Sequence, residues 1–208
     1  MKIGGQRLEA DVQLPDQAAG LVIFAHGSGS SRLSPRNRLV ADALNGHGFA
    51  TILFDLLTEE EASDRRNVFD IPLLAGRMLE VIDAVRRDAS LKHLPIGLFG
   101  ASTGAAAALH AAADRAEDIS AVVSRGGRPD LAMDVLDRVT APTLLIVGGF
   151  DEPVIAMNQA ALVKLHSIKR LEIVAGATHL FEEPGTLDQV VSLAVQWFSQ
   201  YLGQRSAA

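Results

Sequence analysis

One segment determines the fold: Leu98-Phe99-Gly100-Ala101-Ser102-Thr103-Gly104. It begins inside an apolar run that starts at residue 94, and it is followed by an alanine-rich run at 105–113. The first run predicts a buried strand and the second a helix. A serine at a Gly-x-Ser-x-Gly strand-to-helix turn takes a strained backbone conformation, and small neighbours let strand and helix approach each other. On this segment alone, a serine nucleophile and a glycine-containing turn with an idle serine are both open.

Strands and helices are predicted to alternate on both sides of this turn. An alternating apolar and polar run at 8–14 predicts an antiparallel edge strand. Further strands are predicted at 21–25, 49–54, 119–124, 143–147 and 170–174, and helices from Pro35 and at 71–85, 154–165 and 187–201. The acidic run 58–64 is interpreted as a solvated loop. The alternation predicts an α/β fold: a doubly wound, mainly parallel sheet with helices on both faces and a minimal cap or none.

Length and composition limit the classes of function. A chain of 208 residues fits a single domain over 1–208. The net charge of −6 argues against a nucleic-acid partner. The absence of cysteine excludes a thiolate nucleophile and cysteine-bound zinc. No run reaches the ~18 apolar residues of a membrane span, and the amino terminus lacks an apolar signal core. We therefore expect a soluble, cytoplasmic protein without a membrane partner.

Chemistry-bearing residues follow the predicted strands. His26-Gly27-Ser28, Ser102, Arg125, Asp151 and His179 each come at or directly after a strand's carboxyl end. Because these ends gather along one edge of a doubly wound sheet, where ligands bind, we expect the five loops to meet there.

The order Ser102, Asp151, His179 is the Ser…Asp…His order expected when Gly-x-Ser-x-Gly is a nucleophile elbow. A serine hydroxyl needs a base, and the base needs a carboxylate to fix its tautomer. His110 and His166 also follow Ser102, but they lie in helical patterns. The alternative role for His179 is structural. Asp151 has an alternative role as a helix cap, and Asp55 is a second candidate acid, ranked lower because it precedes Ser102.

This pattern resembles the α/β-hydrolase superfamily, and within it a small dienelactone-hydrolase-like group, over nearly the whole chain from residue 21 to residue 181. The resemblance implies catalytic roles for Ser102, Asp151 and His179. It also implies an oxyanion hole formed by the backbone amides of Thr103 and Ser28. Dienelactone hydrolases proper carry a cysteine nucleophile, whereas this chain has Ser102 and no cysteine. The chemistry expected is therefore that of a serine esterase.

Two further residues are candidates for substrate binding. His26 could line the site, although we favour a bracing role through hydrogen bonds. Arg125 could receive a substrate carboxylate in a bidentate pair. The favoured alternative for Arg125 is a structural ion pair with Asp130 or with a glutamate such as Glu182.

The leading hypothesis is a serine hydrolase that cleaves small carboxylic esters, with no metal and no cofactor. Two alternatives use the same fold: an acyltransferase or a hydrolase of a thioester, amide or phosphoester, and a binding module that has lost catalysis. The expected partner is a small ester, and homo-oligomers are left open.

Overall fold

The computed structural model describes residues 2–203. The strands are β1 (Lys2–Ile3), β2 (Leu8–Gln13), β3 (Leu21–Ala25), β4 (Ala50–Phe54), β5 (Ile96–Ala101), β6 (Ile119–Arg125), β7 (Thr143–Gly148) and β8 (Lys169–Val174). The helices are α1 (Pro35–Gly46), α2 (Glu59–Ser63), α3 (Arg65–Val68), α4 (Ile71–Arg87), α5 (Thr103–Asp114), α6 (Glu152–Lys164) and α7 (Thr186–Leu202). Two 3-10 turns, Pro129–Ala132 and Leu136–Arg138, lie between β6 and β7.

The eight strands form one sheet in the order β1-β2-β4-β3-β5-β6-β7-β8. Strands β3 to β8 pair in parallel, whereas β2 pairs antiparallel with β4 and β1 pairs antiparallel with β2. The predicted doubly wound, mainly parallel sheet is confirmed. Strand β2 is antiparallel as predicted but is not an edge strand, because the two-residue β1 pairs with its outer side.

Apolar side chains fill both faces of the sheet. On one face, Met78 of α4 and Leu109 of α5 pack with Ile23 and Leu98. On the other, Leu44 of α1 and Phe198 of α7 pack with Phe24. The helices therefore cover both faces as predicted, and the central strands are buried throughout because each contacts a helix layer on either side.

Helix α5 is built mainly of alanine and is buried along most of its length. Small side chains let its axis approach the sheet closely, so the helix extends directly from the turn after β5. This approach fixes the position of Ser102, the residue between β5 and α5.

One predicted loop is a pair of short helices. The sequence predicts a solvated loop at 58–64, but Glu59–Ser63 is helical. Thr58 accepts a hydrogen bond from the Glu61 amide, and the Glu61 side chain accepts one from the Thr58 amide. This capping box stabilises the first turn, and α3 continues the segment.

Within the described range, no inserted domain covers the sheet edge, and none of the helices there has the length and apolarity to cross a membrane. The prediction of a single domain over 1–208 also includes Met1 and residues 204–208, which lie outside the described part.

Candidate active site

Ser102 lies on a strained turn between β5 and α5. Its φ is 51° and its ψ is −121°, in the positive-φ region that side chains rarely adopt. Its amide donates to the carbonyl oxygen of Arg125 at 3.2 Å. A Cβ at Gly100 would lie 2.4 Å from Ala105 Cα, and one at Gly104 would lie 2.3 Å from the carbonyl oxygen of Ala25. The two glycines of the motif are therefore steric requirements of the turn, as the sequence predicts.

Asp151 and His179 come from the loops after β7 and β8. The Nδ1 atom of His179 lies 2.6 Å from Oδ2 of Asp151. Asp151 is at the cap position of α6, but its side chain makes no capping hydrogen bond. Its carboxylate binds the imidazole instead, so the alternative role as a helix cap is wrong. A carboxylate on Nδ1 holds the proton there and leaves Nε2 as the basic nitrogen.

Ser102 and His179 line one small cavity of about 190 Å³. The other lining residues are Gly27, Ser28, Ser30, Ser34, Arg36, Asn37, Ala101, Arg125 and Leu180. The loops after β3, β5, β6 and β8 thus meet at one sheet edge, as predicted for the carboxyl ends of the strands. Asp151 reaches the same place through its hydrogen bond to His179.

Ser28 and Thr103, the candidates for an oxyanion hole, flank Ser102. Thr103 is the first residue of α5, so its amide has no acceptor within the helix. The Ser28 loop is turned by a hydrogen bond from the Ser30 amide to the Gly27 carbonyl at 3.2 Å. Both residues line a second, larger cavity of about 620 Å³, which shares Gly27, Ser28 and Ser30 with the small one.

The larger cavity is lined by both apolar and charged side chains. Its apolar lining includes Leu33, Leu56, Leu57, Val68 and Leu74, most of it from the segment between β4 and α4, and its charged lining includes Arg32 and Asp55. The two cavities share Gly27, Ser28 and Ser30 in their lining, so an ester held at Ser102 lies next to both.

His26 braces the Gly27-Ser28 loop. Its Nε2 accepts a hydrogen bond from the Leu56 amide at 3.0 Å, and this fixes Nδ1 as the donor to the Gly27 carbonyl at 3.0 Å. Burial lowers the pKa of His26 below its ordinary value, so the neutral ring is favoured. Both ring nitrogens are occupied, which is the bracing role that the sequence favours. His26 also lines the larger cavity, where its binding to substrate stays a prediction.

Arg125 ends β6 with its side chain in the small cavity. The structural pair favoured for it from the sequence is wrong. Asp130 binds the guanidinium of Arg128 through two hydrogen bonds of 2.8 Å, and Glu182 pairs with Arg36 at 3.3 Å. Each of these two carboxylates therefore pairs with another arginine, and neither pairs with Arg125.

Asp55, the second candidate acid, pairs with Arg32. Its carboxylate accepts from the Arg32 amide at 2.7 Å and from the Arg32 guanidinium at 2.5 Å. The carboxylate that contacts His179 is that of Asp151.

Several supporting residues were missed from the sequence. Glu183 accepts hydrogen bonds from the Thr178 amide at 3.0 Å and hydroxyl at 2.7 Å, and these bonds lower the pKa of its carboxyl. They shape the loop that carries His179. Asn158 donates to the Gly127 carbonyl at 3.0 Å and ties the loop after β6 to α6. The sequence offers one signal for Glu183, its position four residues after His179. It offers none for Asn158.

Arg36 and Asn37 were also missed. They lie in the first turn of α1 and line the small cavity. Among residues 2–203, no three histidine or acidic side chains are grouped so that they could hold a metal ion.

A doubly wound sheet with a serine at the strand-to-helix turn of its central strand defines the class of α/β hydrolases. Residues 18–200 match the model of the family described as an alpha/beta hydrolase domain. The chain belongs to this family.

Two solved structures are similar to the chain over nearly its whole length. A dienelactone hydrolase from Anabaena variabilis is 55% identical, with a TM-score of 0.93 over 96% of this chain and 94% of that one. Est1E from Butyrivibrio proteoclasticus has a TM-score of 0.84 at 18% identity, over 98% of this chain and 99% of that one, which shows the shared fold.

Proteins from two Mycobacterium tuberculosis strains, each named "Putative phosphoribosyl transferase", are 58% identical over 189 residues. The match covers 91% of this chain but 43% of each relative. The chain therefore spans less than half the length of the curated relatives that it matches.

Proposed function

We propose that the chain is a serine hydrolase that cleaves small carboxylic esters through an acyl-enzyme on Ser102. His179 is the general base and Asp151 orients it. The amides of Thr103 and Ser28 bind the oxyanion.

The observation that carries this proposal is the hydrogen bond of 2.6 Å between His179 Nδ1 and Asp151 Oδ2, made beside the cavity that His179 shares with Ser102. The bond fixes the tautomer that a base needs, and the positive φ of Ser102 exposes its hydroxyl at the start of α5. The name of the 55% identical dienelactone hydrolase supports the bond type, since a lactone is a cyclic ester.

In the first half of the reaction, Ser102 Oγ attacks the ester carbonyl carbon while its proton passes to His179 Nε2. The carbonyl oxygen becomes an oxyanion held by the two amides, and Asp151 stabilises the imidazolium. His179 then protonates the leaving alcohol, the carbon–oxygen bond breaks, and the acyl group stays on Ser102.

In the second half, water enters the site of the alcohol. His179 Nε2 takes its proton, the hydroxide attacks the acyl carbonyl, and the same amides hold the second oxyanion. Ser102 leaves with the proton returned by His179, and the carboxylic acid is released. These steps need only the chain and water.

The name of the longer relatives is not transferred to this chain. It describes proteins of which the chain matches 43%, and the Ser102 site lies in the matched part. We assign ester hydrolysis to this part alone.

Hydrolysis of 4-nitrophenyl acetate and butyrate by the wild type and by Ser102→Ala tests the proposal. We expect turnover by the wild type and a loss of about a thousandfold or more in kcat/KM for Ser102→Ala, because the nucleophile is removed. Ser192→Ala, at an exposed position of α7, is the matched control and should retain wild-type turnover. Equal turnover by the wild type and Ser102→Ala, or none by folded wild type, would contradict the proposal.

A further inference from the structure

Arg125 is a buried cation with few partners. Its relative exposure is 7%, and it lines the small cavity with Ser102 and His179. Its Nη2 atom makes one long hydrogen bond of 3.4 Å to Asn37 Oδ1, and its Nε has no hydrogen-bond partner. The guanidinium carbon lies 6.0 Å from the ring centre of Phe181. A guanidinium has five N–H donors, so most of the capacity of Arg125 is unused.

No carboxylate neutralises this charge within residues 2–203. The two candidate acids form ion pairs with other arginines, Asp130 with Arg128 and Glu182 with Arg36. A buried arginine that served only to hold the fold would be expected to have acceptors for its donors, because an unpaired buried charge costs free energy.

Arg36 adds a second positive charge to the same cavity. Its side chain is about one-third exposed, and its Nε is buried without a hydrogen-bond partner. Burial, and secondly the charge of Arg36, lower the pKa of Arg125 to about 10. Arg125 therefore remains protonated at neutral pH, and two guanidinium groups face a cavity of about 190 Å³.

An anion in this cavity would accept hydrogen bonds from the free donors of Arg125 and from the unpaired Nε of Arg36, whose Nη1 already pairs with Glu182. The planar fork of a guanidinium matches the paired oxygens of a carboxylate or phosphate. Because Ser102 lines the same small cavity, an anion held by Arg125 lies beside the reacting serine, where an anionic group of the substrate would lie.

We propose that Arg125, supported by Arg36, binds an anionic group, a carboxylate or phosphate, that the substrate carries a few bonds from its scissile carbonyl. The inference rests on the proposed function, since it names the class of ester that the Ser102 site takes.

Three 4-nitrophenyl esters of similar length test it: the monoester of succinate, the ester of 3-phosphonopropanoate, and the neutral methyl succinate. With the non-enzymatic rates subtracted, wild type should show at least a tenfold higher kcat/KM for one anionic ester than for the neutral one, the scale of a charge-assisted hydrogen bond. The favoured anion identifies the carboxylate or the phosphate as the ligand.

The ratio of anionic to neutral kcat/KM is the readout for variants. In Arg125→Gln it should fall to near one, in Arg125→Lys it should keep part of its value because the charge remains, and in the more exposed Arg36→Gln it should fall partly. Arg128→Gln is the matched control, because that guanidinium pairs with Asp130 and lines neither cavity. A wild-type ratio at or below one, or a ratio unchanged in all three variants, overturns the inference.

Calorimetric binding of succinate and 3-phosphonopropanoate to Ser102→Ala separates this inference from the proposed function. At least one anion should bind, and binding should weaken about tenfold or more when Arg125→Gln is added and by less when Arg125→Lys or Arg36→Gln is added. Turnover of the neutral ester without anion binding would overturn the inference alone. Arginine-dependent anion binding without turnover of any ester would support the inference while the proposed function fails.

Discussion

At the scale of single residues, hydrogen bonds fix the protonation state and the tautomer of a histidine beside the site. His26 illustrates this: the Leu56 amide donates to Nε2, so the ring must be neutral with its proton on Nδ1. In a protonated ring, Nε2 would carry a hydrogen and could not accept the hydrogen bond from the Leu56 amide. The loop that carries the Ser28 amide is thereby coupled to the charge of a buried histidine.

This coupling predicts how stability depends on pH. Because burial lowers the pKa of His26 from 6.5, the unfolded chain binds a proton below that pH while the folded protein does not. The contribution of neutral His26 to the free energy of unfolding is fully present above pH 6.5, and it is lost as the pH falls towards the pKa of His26 in the folded protein. We expect the melting temperature of wild type to fall more between about pH 7.5 and about pH 5.5 than that of His26→Gln.

Differential scanning calorimetry at matched ionic strength measures this difference. His166→Gln, the same change at an exposed histidine, serves as the control and should keep the wild-type pH dependence. If His26→Gln loses as much stability on acidification as wild type, His26 is not held neutral.

Much of the site could be predicted at this scale, and the reason is positional. Ser102 follows β5 directly, and Asp151 and His179 lie in the loops after β7 and β8, so their meeting follows from the parallel sheet. Arg36 and Asn37 could not be found in this way, because they lie in the first turn of a helix whose approach to the cavity depends on packing. The wrong pairing of Arg125 has the same origin, since spacing along the chain does not reveal that Arg36 reaches Glu182.

At the scale of elements, the segment from β4 to α4 shapes the larger cavity. Glu59 and Ala62 of α2 and Val68 at the end of α3 line it. This segment was the least predictable from the sequence, because an acidic run is compatible with either a solvated loop or a capped short helix. The capping box decides in favour of the helix.

The larger cavity predicts a preference among uncharged acyl chains, which lack the anionic group that Arg125 binds and extend instead into the larger cavity. Val68→Trp should lower the ratio of kcat/KM for 4-nitrophenyl hexanoate to that for the acetate by about tenfold, since the indole fills space that the longer chain needs. Val163→Trp, at an exposed position of α6, is the control for the tryptophan itself. An unchanged ratio in Val68→Trp, measured by initial rates, would mean that the acyl chain lies elsewhere.

At the scale of the whole molecule, strand order assembles the site. Strand β5 lies between β3 and β6, so the loops that carry Ser28 and Arg125 flank Ser102. Strands β7 and β8 lie side by side beyond β6, which places Asp151 next to His179. The sequence predicts that these loops share an edge, but the order along that edge comes from the crossovers, which local patterns do not encode.

The central claim, that Ser102 is an activated nucleophile, is tested most directly by a fluorophosphonate probe followed by mass spectrometry of the labelled peptide. We predict one adduct on Ser102 in wild type, slower labelling in His179→Ala because the base is lost, and no adduct at this peptide in Ser102→Ala. Folded wild type that stays unlabelled, or that is labelled at another residue, would contradict the account.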